Sequence, residues 1–195
     1  MYLYKNRESL MEKENQRIAI SKRMLKEGLL RCLKHTEIDK LSISDLCRES
    51  GINRATFYHH YQLPKDVLSD IGWEHTLEIK RIFESDQHQP LEKRMTDCFR
   101  YIHDNRETLK ILFSANADAR FAEEVKNIFP WAWTNIIDLK KKYSLDNDEY
   151  RLFVASFSWS AYHIIREWIM EDIKKSPEEI TELFIKIHSR DFYEV

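Results

Sequence analysis

Two helix starts and one helix stop fall between Ser42 and Asn53, and this punctuation restricts the fold more than any other feature of the chain. Ser42 precedes Asp45 by three residues, a capping-box-like start, and Leu41 and Leu46 take the N′ and N4 positions of a hydrophobic staple. A helix therefore begins at Ile43. It is short, because Gly51 stands where a left-handed residue closes a helix after Ser50. Asn53 is then an N-cap for another short helix, with Ile52 and Phe57 again at staple spacing, and Pro64 suits the first position of the next.

A longer helix comes before this pair. From about Asn15 to Lys34, Ile18, Ser21, Leu25, Gly28, Leu29, Cys32 and Leu33 share one face, with Lys22, Arg23, Lys26 and Glu27 outside. Two short helices joined by a glycine turn behind a supporting helix make a helix-turn-helix, in which the second short helix enters the DNA major groove. The rest of the chain is also helical in pattern: only 3 Gly and 4 Pro occur in 195 residues, and apolar residues recur at helical spacing almost throughout. We expect an all-α protein, with residues 1–63 forming a three-helix DNA-binding domain and residues 64–195 a larger helical domain for ligand binding and dimerisation.

Within the third helix, Phe57 and Tyr61 are four apart and share the face turned to the first two helices. Arg54, Tyr58, His59 and His60 then point elsewhere, to phosphates and bases or into packing at a domain junction. Charge favours a polyanion at this end: residues 1–68 hold 13 Lys and Arg against 9 Asp and Glu, while the remainder is net acidic.

The segment "LSISDLCRESGINRATFYHHYQLPKDVL", Leu41 to Leu68, resembles the DNA-binding segment of the TetR/AcrR family of bacterial transcriptional regulators. Thr56, Phe57, Tyr58, His60 and Tyr61 fill the family's pattern in order. The resemblance implies that Thr56, Tyr58 and His60 hold phosphates and that Ser44, Arg54, Ala55 and His59 lie where bases are read. The cap residues Ser42 and Asn53 complete the candidate set with Lys65. A lysine usual in the family at the start of the fourth helix is replaced here by Pro64, and we expect Lys65 to substitute, reaching back over a helix N-terminus that favours an anion.

Further along, Leu68, Ile71, His75, Ile79 and Ile82 stripe the helix opened by Pro64; "ESDQHQP" reads as a loop, "LEKRMTDCFRYIH" and "RETLKILFS" as helices. A long helical pattern from Ala117 to Tyr143 is interrupted by Pro130, and a kink there beside Phe129, Trp131 and Trp133 would border a cavity. With Cys98, Trp159 and His163, these three form the candidate pocket for an unknown small-molecule effector. In "DEYRLFVASFSWSAYHIIREWIMEDI" one stripe runs Phe153, Phe157, Ala161, Ile164, Trp168, with Leu152, Trp159 and Met170 off it. A helix apolar on several sides needs partners on more than one. Ser176-Pro177-Glu178-Glu179 starts the last helix. We expect these two helices to make a homodimer interface through Phe157, Ser160, Ile164, Trp168, Ile180, Phe184 and Ile187. "FSWSAYHIIREWI" is also similar to the branch of the family that includes regulators and coactivators linked to dihydroxyacetone kinase.

No phosphate-binding glycine loop, nucleophile elbow or HExxH motif is present, so no catalytic residue, cofactor or metal is expected. His59 and His60 are adjacent on a helix and diverge by about 100°, which disfavours joint chelation. Cys32, Cys47 and Cys98 are odd in number and far apart, as expected of reduced thiols in a cytoplasmic chain, and no apolar leader or membrane span is seen. Two function classes follow: a homodimeric regulator on a palindromic double-stranded DNA operator, controlled by a small molecule, or a coactivator using the same fold to bind another protein.

Overall fold

The computed structural model describes residues 2–85, 88–114, 116–117 and 145–188, with backbone alone for residues 2–13. Among them there are eight α-helices, one 3₁₀ turn and no strand. The helix expected around Pro130 lies outside the described residues, as do Phe129, Trp131 and Trp133. Two compact units divide the chain: Met1–Ile71 with Ala115–Asp118, and Gly72–Ser114 with Ala119–Val195.

In the first unit α1 is Tyr2–Leu33, α2 is Ile43–Ser50 and α3 is Arg54–His60, with a 3₁₀ turn at Ile38–Lys40. α1 begins thirteen residues before the apolar face does. Helix-forming polar residues with no breaker extend it, which periodicity could not reveal because nothing there alternates. The short helices start and stop where their caps dictate. Ser42 Oγ accepts from Asp45 N at 3.1 Å, Asn53 Oδ1 accepts from Thr56 N at 2.8 Å, and Gly51 takes φ 70°, the left-handed conformation.

Leu25, Leu29, Leu33, Leu46 and Phe57 are fully or almost fully buried and form the centre of this unit. Complete burial of each is worth about 1.5–3 kcal/mol. α2 approaches α1 closely at Gly28, where a Cβ would lie 2.7 Å from Ser50 Cβ and 2.9 Å from Ser50 Cα. Arg31 fastens the same edge, with Nε 2.5 Å from Glu49 Oε1 and Nη2 donating to the Glu49 carbonyl at 2.7 Å.

α4, Pro64–Glu84, contributes its first two turns to the first unit and the remainder to the second. The second unit also holds α5 (Leu91–Asp104), α6 (Arg106–Phe113), α7 (Asn147–Met170) and α8 (Pro177–Ile187). Capping boxes start the last two, Asp146 with Glu149 and Ser176 with Glu179. α8 packs on α5 and α7 on α6. Phe99 anchors this core, with Trp168 edge-on at 6.0 Å between ring centroids and Phe184 at 6.1 Å.

The inward face of α7 differs from the expected stripe. Val154, Ser158, Ala161, Tyr162, Ile165, Trp168 and Ile169 are buried, whereas Phe153, Phe157 and Ile164 are only half-buried. Apolar residues on several sides leave the phase undetermined by sequence. Ser158 is buried because its hydroxyl donates to the Val154 carbonyl at 2.6 Å, leaving no donor unsatisfied.

Candidate nucleic-acid interface

α3 is a seven-residue helix held from beneath. Phe57 is buried against α1 and α2, and Tyr61 closes the helix with only 7% exposure. The Tyr61 hydroxyl donates to Asp70 Oδ2 at 2.6 Å, and the same carboxylate faces Lys26 at 2.9 Å and Lys22 at 3.4 Å. Partial burial pushes the Asp70 pKa upward, but the Tyr61 hydrogen bond and the two ammonium groups outweigh it and hold the carboxyl below its usual range. Lys22 also lies over the Tyr61 ring, 5.4 Å from its centroid. Asp70 thereby ties the end of α3 to α1 and α4. Sequence spacing gave no hint of it, since the contacts join residues 22, 26, 61 and 70.

With Phe57 and Tyr61 inward, the other side of α3 is presented. Arg54, Ala55, Tyr58 and His59 are exposed, Tyr58 to 59%. The Tyr58 ring stands edge-on to Phe57 at 5.6 Å, which fixes its direction without burying its hydroxyl. Arg54 Nη2 donates to Ser44 Oγ, so two residues expected to read bases are joined across the turn between α2 and α3. Thr56, His59 and His60 face an open groove whose other wall is α1 from Glu14 to Ser21. The rings of His59 and His60 are perpendicular at 5.0 Å. Burial lowers the His60 pKa, and His59 and Lys22 lower it further, so the neutral imidazole is favoured at neutral pH.

Three residues of the candidate set have local work in the isolated chain. Ser42 and Asn53 cap helices through their side-chain oxygens, and Ser42 also donates to Asp45 Oδ2 at 2.5 Å. Lys65 is ion-paired with Asp39 of the 3₁₀ turn. The backbone N–H groups of Gln62 and Leu63, before α4, donate to Asp66 Oδ2 at 2.9 and 2.7 Å. That helix start already carries a carboxylate, which opposes a second anion and removes the reason for expecting Lys65 to work there with the helix N-terminus.

The remaining candidates lie in the second unit. Cys98 is buried, and burial pushes its thiol pKa far up, while Trp159 and His163 stand exposed and stacked at 5.7 Å. Of the residues expected at a dimer face, Trp168, Ile180 and Phe184 are 5%, 2% and 3% exposed within a single chain and belong to its own core. Phe157 packs on Phe184 and on His188, 4.1 Å between the latter rings. Ser160, Ile164 and Ile187 are half-buried. The outward face of α7 is instead Leu152 (73% exposed), Ala155, Ser156, Trp159 (51%) and His163. Among the described residues no cluster of His, Cys, Asp and Glu could hold a metal, and no helix is long and apolar enough to cross a membrane.

Comparison with known proteins bears on the whole of this architecture. No curated protein matches the chain. Solved structures of similar fold include the TetR transcriptional regulator from Streptococcus agalactiae 2603V, with TM-score 0.68 at 15% identity, covering 93% of this chain and 99% of that one. The dihydroxyacetone kinase operon activator DhaS aligns with TM-score 0.62 at 18% identity, over 87% and 94% of the two chains. The fatty acid degradation regulator FadR from Bacillus halodurans aligns with TM-score 0.61 at 11% identity, over 86% and 93%. At these identities they establish the fold. Residues 89–190, just over half the chain, match the TetR family described as "Transcriptional regulator C-terminal region". That match does not overlap the Leu41–Leu68 segment, so the two ends of the chain point independently to one conclusion: it belongs to the TetR family of transcriptional regulators.

Proposed function

We propose that this regulator binds a two-fold DNA operator as a homodimer in the cytoplasm, with α3 of each protomer in the major groove, and that a small molecule in the C-terminal unit controls its affinity. Residues 1–63 serve as the DNA-reading domain and residues 64–195 as the effector and dimerisation domain. The carrying observation is the outer side of α3, where Arg54, tied to Ser44, stands beside an exposed Tyr58 on a helix anchored inward by the buried Phe57 and Tyr61. A guanidinium at the start of a recognition helix suits the O6 and N7 atoms of guanine, and a phenol hydroxyl donates to a phosphate. Thr56 and His60 line the α1 side of the helix, where the neutral imidazole donates one N–H to a phosphate.

Dimerisation is assigned to the outward face of α7. Leu152 and Trp159 are too apolar to remain in water, and Ala155 and Ser156 between them allow a second helix to approach closely. Trp159 and His163 thus leave the expected effector set for the expected partner surface.

Specific fragments selected from the source genome supply the operator for the decisive measurement. Fluorescence anisotropy over a salt series compares wild type, Arg54→Ala and Tyr58→Phe on operator and scrambled duplexes. Arg54→Ala should reduce operator binding about 5- to 150-fold, from roughly 1–3 kcal/mol for a bidentate base contact, and spare the scrambled duplex. Tyr58→Phe should weaken both alike. Unchanged binding by both variants would remove α3 as the reading helix and leave the coactivator function in its place.

A further inference from the structure

Arg94, on α5, is a buried cation with no ion pair among the described residues. It is 7% exposed, and its one hydrogen bond among the described residues runs from Nη1 to the Phe83 carbonyl at 3.0 Å. Among the described residues Nε has no hydrogen-bond partner. Asp97, three residues on, is turned to Lys93 at 2.5 Å and to Arg100 at 2.7 Å. Glu92, also on α5, is exposed. A buried guanidinium left in this condition is destabilising, because desolvation costs several kcal/mol per ion unless an anion or a full set of hydrogen bonds offsets it. A methionine would fill the same volume without that cost. Its bond to the Phe83 carbonyl caps the last turn of α4, where a cation is favoured, but that contact engages Nη1 alone and leaves Nε without a partner among the described residues.

The geometry of the unpartnered edge says what would satisfy it. A guanidinium whose Nη1 is taken by a carbonyl still presents Nε–H and the adjacent Nη2–H side by side, the fork that matches the two oxygens of a carboxylate. A single buried cation balances one negative charge, which favours a monocarboxylate over a dianionic phosphate. Close to this edge, Cys98 lies one turn along α5, also buried, and its thiol is within the electrostatic reach of Arg94. Thr76 on α4 offers a second buried polar atom, Oγ1, without a partner among the described residues, two turns before Phe83 on the same helix face. Both unpartnered atoms belong to the second unit, one on α4 and one on α5.

We propose that Arg94 is the anion receptor of the effector site and that the effector is a small organic monocarboxylate. This rests on small-molecule control as assigned above, and deepens it by naming the chemical class. The carboxylate accepts from Nε and Nη2 of Arg94, and the body of the molecule lies along the apolar interior.

The test uses the full chain without DNA. Calorimetric titration compares octanoate with octanamide and benzoate with benzamide on wild type, Arg94→Met and Arg94→Lys. In wild type each carboxylate should bind about tenfold or more tightly than its amide, the usual gain from a charge-assisted pair. Arg94→Met should abolish that preference while leaving the unliganded protein as stable as wild type, or more so. Arg94→Lys should keep part of it. Equal binding of acid and amide to wild type overturns the proposal even if the variants fail to fold, as does an Arg94→Met protein that retains the preference. Repeating the titrations against operator-bound protein separates the two claims. Carboxylates that bind without changing operator affinity refute small-molecule control and leave the receptor standing; amides that change operator affinity as strongly as the acids refute the receptor and leave control standing.

Discussion

Asp70 lies on α4 and is bonded to Tyr61, Lys22 and Lys26 rather than presented on the exposed side of α3, yet replacing it should weaken operator binding, because it fixes the end of the reading helix. Asp70→Ala leaves the Tyr61 hydroxyl, in a side chain only 7% exposed, without its acceptor, and leaves Lys22 and Lys26 facing each other without the anion between them. A hydrogen bond to a charged group is worth about 1.5–3 kcal/mol. The lysine pairs add little, since they are partly solvated and surface pairs average below about 1 kcal/mol. We expect a loss of about 2 kcal/mol in the first unit at pH 7, read by urea unfolding with Tyr fluorescence and circular dichroism. The sign with pH follows from the depressed carboxyl pKa: the Asp70 contribution is fully present above the ordinary carboxylate range near pH 4 and is lost as pH falls through the lower folded-state value. The gap between wild type and variant should therefore narrow steadily below about pH 4. Asp70→Asn, which keeps an acceptor for Tyr61, should lose roughly half as much. A variant as stable as wild type at pH 7, or a deficit that persists unchanged into acid, would refute the assignment of Asp70 as the lock on α3.

Gly28→Ala should destabilise the first unit by about 1–3 kcal/mol in the same unfolding assay, since the new Cβ meets backbone as well as side chain of Ser50 and no rotamer relieves it; equal or greater stability would show that α2 can move away. Trp159→Glu should convert a dimer to a folded monomer in sedimentation at micromolar concentration, whereas Trp168→Glu should unfold the second unit because that ring is packed on Phe99 and His103. His60, held below the ordinary histidine range by burial, His59 and Lys22, should gain its proton only as pH falls below about 6.5, strengthening operator binding there in wild type but not in His60→Asn; because the unfolded chain takes up that proton first, the free protein should lose stability as pH falls from about 6.5 toward the lower folded-state value.

How far each of these features could be read in advance depends on the range of the interaction that fixes it. The limits of α2 and α3 were legible at Ser42, Gly51 and Asn53, because a cap is a hydrogen bond within four residues and a left-handed glycine is a property of one. The inward positions of α3 were legible for the same reason, Phe57 and Tyr61 lying one turn apart. The TetR identity follows from this local pattern joined to the match at the other end of the chain. The long-range pairs were not legible. Asp70 with Tyr61 and Lys26, Lys65 with Asp39, and the buried charge of Arg94 depend on which faces of separate helices meet, and nothing in local spacing encodes that. α7 marks the boundary between the two: its sequence determined that the helix would be long and apolar on several sides. Only tertiary packing decided that Val154, Ser158, Ala161, Ile165 and Trp168 would face the core and leave Leu152 and Trp159 outward, because a helix apolar all round has no preferred phase until a neighbour chooses one.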